Sequence, residues 1–257
     1  MGPTAYLSPV ALSPPFDRRP APRFRGWADT VGLVSTDVIL DQRAVDVVAR
    51  PRFRGHLHTW TAALAIPAGI LLILAARSAS ARVGASIYAA SVLALFGTSA
   101  SYHRLAHSVR ARQILRQLDH SMIFVLIAGT YTPICLLALP LAWGIPVLSV
   151  VWSGAIFGIV LKTAAFHRFP VMRHALYPIL GWTAIVAMPV LYQRLSTAQF
   201  VFLIIGGLMY TIGIPILLRK RPDPWPMTFG YHEVWHAFTV VAGVCHFVLV
   251  GLLVASS

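Results

Sequence analysis

The stretch YHEVWHAFTVVAGVCHFVLVGLLV, residues 231–254, is long enough to cross a lipid bilayer as one helix, which needs about 20 apolar residues. Its first two turns also carry the polar residues His232, Glu233 and His236. Ionisable groups inside membrane helices are costly, and for that reason they usually mark a functional site. The stretch therefore predicts a membrane helix with a site at its N-terminal end.

The composition of the whole chain is that of a membrane protein. Of the 257 residues, 57% are hydrophobic and 11% are charged, whereas a soluble domain carries about 25% charged residues. Six further apolar segments of spanning length precede the last one, at roughly residues 58–76, 82–103, 117–139, 142–162, 173–193 and 199–218. The sequence therefore predicts an all-α bundle of seven transmembrane helices, located in the cell membrane.

The N-terminal part of the chain differs in composition from the rest. Residues 1–55 contain seven prolines, eight arginines and five aspartates, without a sustained apolar pattern. Such a segment cannot bury enough apolar surface to fold alone. We interpret residues 1–55 as a mostly disordered cytoplasmic tail and residues 56–257 as the membrane domain.

Positive charge is distributed unevenly between the two ends of the predicted bundle. The N-terminal tail and the loops on its side hold 18 lysines and arginines, and the opposite side holds three. Because positive loops face the cytoplasm, the N-terminus is predicted to be cytoplasmic and the C-terminus outside. The net charge of +13 lies in these flanking residues and forms no basic face interleaved with aromatic residues, so we expect no nucleic-acid partner.

This topology brings three distant motifs to the same, cytoplasmic boundary. The second span ends with Ser99-Ala-Ser-Tyr-His103, the third begins with Asp119, and the seventh begins with His232 and His236. Two histidines four positions apart share one face of a helix. Catalytic zinc takes three protein ligands and keeps a fourth position for water. The predicted Zn²⁺ ligands are therefore His103, His232 and His236.

Two polar residues are expected to act beside these ligands. Asp119 would hydrogen-bond the metal-bound water or an imidazole, and Ser99 would polarise or position its neighbours. A salt bridge from Asp119 to Arg104 or Arg116 at the headgroup level is the alternative explanation for this carboxylate.

Other polar residues of the spans have weaker claims to the site. Glu233 and His120 lie next to predicted site residues and are candidates for its surroundings. The stripe Thr239, Gly243 and His246 recurs at helical spacing; it would either leave room for a lipid chain or form a close helix–helix contact. The remaining histidines are interpreted as interfacial: His56, His58, His107, His167 and His174.

Together the motifs resemble those of the hemolysin III family, the bacterial branch of the progestin and adiponectin receptor superfamily. The resemblance covers roughly residues 50–255 and is carried by the 99–103 motif, by Gln117-Leu-Asp-His-Ser-Met-Ile-Phe-Val-Leu-Ile-Ala-Gly-Thr-Tyr-Thr-Pro133 and by Tyr231-His-Glu-Val-Trp-His-Ala-Phe238. It implies seven spans with a cytoplasmic N-terminus. It also implies zinc on His103, His232 and His236, with Ser99 and Asp119 as polar partners.

The resemblance sets out the functional expectations. Adiponectin-receptor members are similar to ceramidases, which hydrolyse a lipid amide with a zinc-bound water, whereas bacterial members are named for a reported cytolytic activity. We therefore expect a hydrolase of a lipid amide or ester with a membrane lipid as substrate. The alternative is a non-catalytic cytolysin or receptor-like protein with a structural zinc.

A protease is a further alternative, because residues 232–236 spell the His-Glu-x-x-His signature in which the glutamate is the general base. Ser99 and Asp119 have no part in that signature. The three motifs together therefore favour the lipid hydrolase.

Overall fold

The computed structural model describes residues 51–164 and 170–257, so nearly all of the predicted tail, residues 1–55, lies outside the described residues. Within these ranges the chain forms eight α-helices and one 3₁₀ helix. The helices are α1 (His56–Ala75), α2 (Ala79–Leu105), α3 (Val109–Leu137), α4 (Leu141–Ala164), α5 (Pro170–Gly181), the 3₁₀ helix (Trp182–Ala187), α6 (Met188–Arg194), α7 (Thr197–Arg219) and α8 (Tyr231–Ala255).

Seven segments of the described chain are long and apolar enough to cross a membrane, namely α1–α4, α7, α8 and the segment Ala175–Arg194 that contains the 3₁₀ helix and α6. Large apolar side chains cover the outside of the bundle; on α1, for example, Leu74 is 75% exposed. A water-soluble protein could not expose so much contiguous apolar surface, whereas lipid solvates it. The prediction of an all-α, seven-span integral membrane protein is confirmed, and the orientation of its termini stays a prediction.

Helix α3 begins at Val109, well before the apolar segment predicted from about residue 117. The Ser108 side chain accepts a hydrogen bond from the Ala111 backbone N–H at 3.1 Å and caps the helix. Hydropathy detects only the part of a helix that lies in lipid, so it does not predict the polar first turns of α3. Asp119 consequently lies about three turns inside α3 rather than at its start.

The fifth span is a broken helix rather than a straight one. Tyr131 of α3 inserts its hydroxyl at the break, where it donates to the Gly181 carbonyl at 2.8 Å and accepts from the Ala184 N–H at 2.6 Å. A side chain that enters the hydrogen-bond ladder in this way interrupts α-helical pairing. Pro189, at the start of α6, supplies no N–H to continue the ladder.

Helix α8 occupies a central place in the bundle and packs against α1, α2, α3 and α7. Its side chains Leu249 and Val250 are fully buried. Gly206 of α7 lies directly against the His246 ring of α8, at a distance that leaves no space for a Cβ atom. The N-terminal end of α8 lies beside the C-terminal end of α2, where the polar motifs meet.

Candidate metal centre

Three imidazoles from two helices converge at this end of the bundle. His103 comes from the last turn of α2, and His232 and His236 come from the first two turns of α8. One ring nitrogen from each lies within 4.8 Å of the others, so the three could hold a metal ion together. His236 is buried, and the other two are half-buried.

The spacing of one pair of nitrogens suits a small tetrahedral ion. Nε2 of His103 and Nε2 of His232 are 3.2 Å apart. Zinc–nitrogen bonds of 2.0–2.1 Å at the tetrahedral angle place two ligand nitrogens about 3.3 Å apart. Imidazole is a common zinc ligand, and the 3.2 Å separation of this one pair of nitrogens is compatible with a shared tetrahedral ion.

Ser99 and Asp119 connect α2 to α3 at the turn of α2 that precedes His103. The Asp119 carboxylate accepts a hydrogen bond from the Ser99 hydroxyl, and Ser99 is one turn before His103 on the same face of α2. Ser99 is buried, while the Asp119 side chain keeps 17% of its surface exposed. The hydrogen bond orients the Asp119 carboxylate toward the turn of α2 that precedes His103.

Both carboxylate oxygens of Glu233 have partners near the start of α8. Its Oε2 accepts from the Gly230 N–H at 2.9 Å, and its Oε1 forms an ion pair with Nε of Arg54 at 2.9 Å. Glu233 is 1% exposed, so this pair is largely removed from solvent. These contacts explain the glutamate of the His-Glu-x-x-His pattern as a helix cap and a structural ion pair. They provide no argument for a general base.

His120 lies at the edge of the site. Its Nδ1 is 2.7 Å from the Arg116 carbonyl, one turn earlier on α3, and 3.8 Å from Oδ2 of Asp119. The ring is directed along its own helix, and Tyr177 donates to the His120 carbonyl at 2.8 Å. His120 is therefore a neighbour of Asp119 rather than a member of the imidazole cluster.

The stripe on α8 is packed against neighbouring helices. A Cβ atom at Gly243 would lie 3.3 Å from the Phe96 ring of α2. The Gly243 carbonyl accepts a hydrogen bond from the Tyr88 hydroxyl at 3.4 Å. The Thr239 side chain is buried, and the His246 ring packs on α7 with Nε2 3.4 Å from the Leu203 carbonyl. Of the two explanations for this stripe, these contacts are those of a helix–helix interface.

The interpretation of His58 as an interfacial residue is wrong. His58 lies in the first turn of α1, is 3% exposed and stacks on the ring of His236, with ring centroids 3.7 Å apart. His56 instead contacts Phe53, edge to face at 5.7 Å, and His107 is exposed. The sequence did contain a signal for His58, because it begins an apolar span at the same end of the bundle as the predicted ligands.

The other two histidines interpreted as interfacial are His167 and His174. His167 and the side chain of His174 lie outside the described part of the chain.

Most of the chain is similar in sequence to known proteins. A protein family described as Haemolysin-III related matches residues 47–247. The chain is 38% identical over 180 residues to the Hemolysin-3 homolog of Bacillus subtilis (strain 168), which covers 69% of this chain and 81% of that protein. It is 37% identical over 188 residues to Hemolysin-3 of Bacillus cereus, covering 71% and 82% respectively.

A more distant similarity extends to eukaryotes. The chain is 25% identical over 186 residues to the Heptahelical transmembrane protein ADIPOR2 of Oryza sativa subsp. japonica, covering 65% of this chain and 80% of that protein.

Proposed function

This chain belongs to the haemolysin III-related family, within the progestin and adiponectin receptor superfamily, and from that premise we propose that it is a membrane zinc hydrolase of a lipid amide or ester. The observation that carries the proposal is the convergence of His103, His232 and His236, whose nitrogens lie within 4.8 Å of one another. Three neutral imidazoles are a common ligand set for catalytic zinc, which keeps an open position. A structural zinc site would more often have four protein ligands.

Different residues of the chain have different roles in the proposed hydrolysis. When bound, zinc supplies Lewis acidity and makes water a nucleophile at neutral pH. The three histidines would hold the ion, and the Asp119 carboxylate would accept a proton from the attacking water. Asp119 can then pass that proton to the leaving nitrogen or oxygen, while the Ser99 hydrogen bond keeps the carboxylate oriented.

A lipid is the substrate class that suits the surroundings of the site. The imidazoles and Asp119 project from helices whose outer surfaces are apolar, so a substrate dissolved in the bilayer reaches this end of the bundle by lateral diffusion. Its amide or ester carbonyl lies at the headgroup level of a membrane lipid, the level expected for residues near the ends of membrane helices. A water-soluble peptide does not partition into the bilayer, so it would not be concentrated at this depth.

A second candidate function follows from the burial of His236, which is only 3% exposed. In this candidate, zinc fastens α2 to α8, and the protein acts without catalysis as a cytolysin or as a receptor-like protein. A clasp needs metal occupancy and no carboxylate chemistry, so the two candidates differ in what they require of Asp119.

The test uses the full chain purified in detergent, with metal content and fatty-acid release measured on the same samples. The substrate panel contains ceramide-like amides and ester lipids. We expect release by the wild type and none by His236→Ala, while His107→Ala, at an exposed histidine outside the cluster, keeps wild-type release. Zinc-loaded wild type that hydrolyses nothing across the panel would favour the structural clasp instead.

A further inference from the structure

His58 is a buried imidazole that directly contacts a predicted metal ligand. Its ring lies parallel to the ring of His236, with centroids 3.7 Å apart and an interplanar angle of 10°. Phe96 of α2 contacts His58 edge to face at 4.9 Å, so His58 is held between two aromatic neighbours. The helix α1 that carries it contributes no residue to the three-histidine cluster.

The start of α1 is fastened to the same end of the bundle by independent contacts. Arg54 forms its ion pair with the buried Glu233 of α8. Gly55 adopts a left-handed conformation, with φ 79°, and a Cβ atom there would come within 2.7 Å of the His103 Cβ. Thr59 donates from its hydroxyl to the Gly55 carbonyl at 2.9 Å. The first turn of α1 is therefore fixed in the position where its histidine meets His236.

The stacking geometry argues that His58 does not itself bind the ion. An imidazole donates its lone pair in the plane of its ring, so an ion bound by His236 lies in the His236 plane. Because the two planes are nearly parallel and are stacked, that ion is well out of the plane of His58. What His58 can do is restrict rotation of the His236 ring about its Cβ–Cγ bond.

We propose that His58 is a positioning residue of the metal centre, which stacks on His236 and holds the ligand plane toward His103 and His232. The proposal rests on the proposed function, because it presupposes metal binding by the three histidines. Residues that orient metal ligands typically change metal affinity about 10- to 100-fold when they are removed. Stacking, unlike coordination, requires a flat ring and no nitrogen.

Three single variants separate these roles. His58→Ala removes the ring, His58→Phe restores a flat ring that cannot bind metal, and His56→Ala removes a histidine whose ring contacts Phe53 instead of the cluster. The measurements are the dissociation constants of Zn²⁺ and Co²⁺, by competition with a chelator, and the visible absorption spectrum of the Co²⁺ form, which reports ligand geometry.

We expect His58→Ala to weaken binding of both ions about 10- to 100-fold and to change the Co²⁺ spectrum. His58→Phe should restore the wild-type spectrum and most of the affinity, and His56→Ala should match wild type. Unchanged affinity and spectrum in His58→Ala would overturn the proposal. Equal losses in His58→Ala and His58→Phe would overturn it in favour of a role for the ring nitrogens of His58.

A metal-free measurement tests the contact by itself. With ring-labelled histidine in the full chain, the ring current of residue 58 should shift the His236 ring protons upfield in wild type and in His58→Phe, and this shift should disappear in His58→Ala. Absence of the shift from wild type would overturn the stacking. Wild type that shows the shift but binds neither ion would instead overturn the proposed function, and the positioning role with it.

Discussion

Nε2 of His103 and Nε2 of His232 lie 3.2 Å apart although 129 positions separate the two residues along the chain. Neither helix could provide this pair alone, because α2 ends where its histidine lies and α8 begins with its own. The contact therefore depends on packing the C-terminal end of α2 beside the N-terminal end of α8.

The purified protein is expected to hold about one zinc ion per chain, because three imidazoles fill all but one position of a tetrahedron. His103→Ala and His236→Ala should each lower the zinc content severely, since two imidazoles rarely retain the ion through purification. Elemental analysis of protein in detergent measures the ratio. Exposed His107, replaced by alanine, provides the matched control, and undiminished zinc in both ligand variants would refute the site.

Asp119→Asn is expected to abolish hydrolysis while zinc stays bound. The amide keeps the size of the carboxylate and can still pair with Ser99, but it cannot accept a proton. The rate of fatty-acid release should fall by about 10²- to 10⁴-fold, and the zinc content of the same sample should match wild type. A fully active variant would exclude Asp119 from the reaction.

Glu233→Gln is expected to keep the rate of hydrolysis per zinc-loaded molecule, because Glu233 contacts the start of α8 and Arg54, while loss of the buried ion pair lowers the stability of the fold. The glutamine oxygen can still accept from the Gly230 N–H, which preserves the start of α8. A His-Glu-x-x-His protease would lose its general base and nearly all its activity in the same variant. Fatty-acid release and peptide cleavage, measured together, distinguish the two chemistries, and a dead Glu233→Gln with zinc bound would restore a catalytic role to Glu233.

Gly206→Ala is expected to destabilise the bundle by about 1–3 kcal/mol, the usual cost of forcing extra atoms into a packed core. Its new methyl group would meet the His246 ring. Gly207 is the matched control, because a Cβ atom there meets nothing within 4 Å. Gly207→Ala should leave stability unchanged or raise it slightly, since alanine is the better helix former.

Thermal unfolding in detergent compares these two glycine variants. Equal melting temperatures for Gly206→Ala and Gly207→Ala would contradict the close α7–α8 contact at His246.

A reporter fused after Ser257 is expected outside the cytoplasm, and one inserted at residues 106–108, between α2 and α3, inside it. The distribution of lysine and arginine, 18 on one side and three on the other, requires this orientation. Reporters that are active only on opposite sides of the membrane make the measurement. A cytoplasmic C-terminus would mean that the metal centre faces the other compartment.

The sequence by itself determined the membrane fold. Apolar segments of the length of a bilayer predicted seven spans, and seven are present in the described chain. It also placed His103, His232 and His236 at one end of the bundle, because alternating spans bring the end of the second and the start of the seventh to one side. This inference needs no side-chain detail, since spacing of four residues on a helix fixes a shared face.

Tertiary structure alone decided how the site is surrounded. The sequence places His58 at the same end of the bundle as the predicted ligands, and only the packing of α1 against α8 shows that it stacks on His236. Glu233 resembles a catalytic base in the sequence, and only the approach of Arg54 and the Gly230 N–H assigns it to the helix start. Hydropathy and periodicity describe one helix at a time, whereas these contacts depend on the rotation and distance of two helices that pack together.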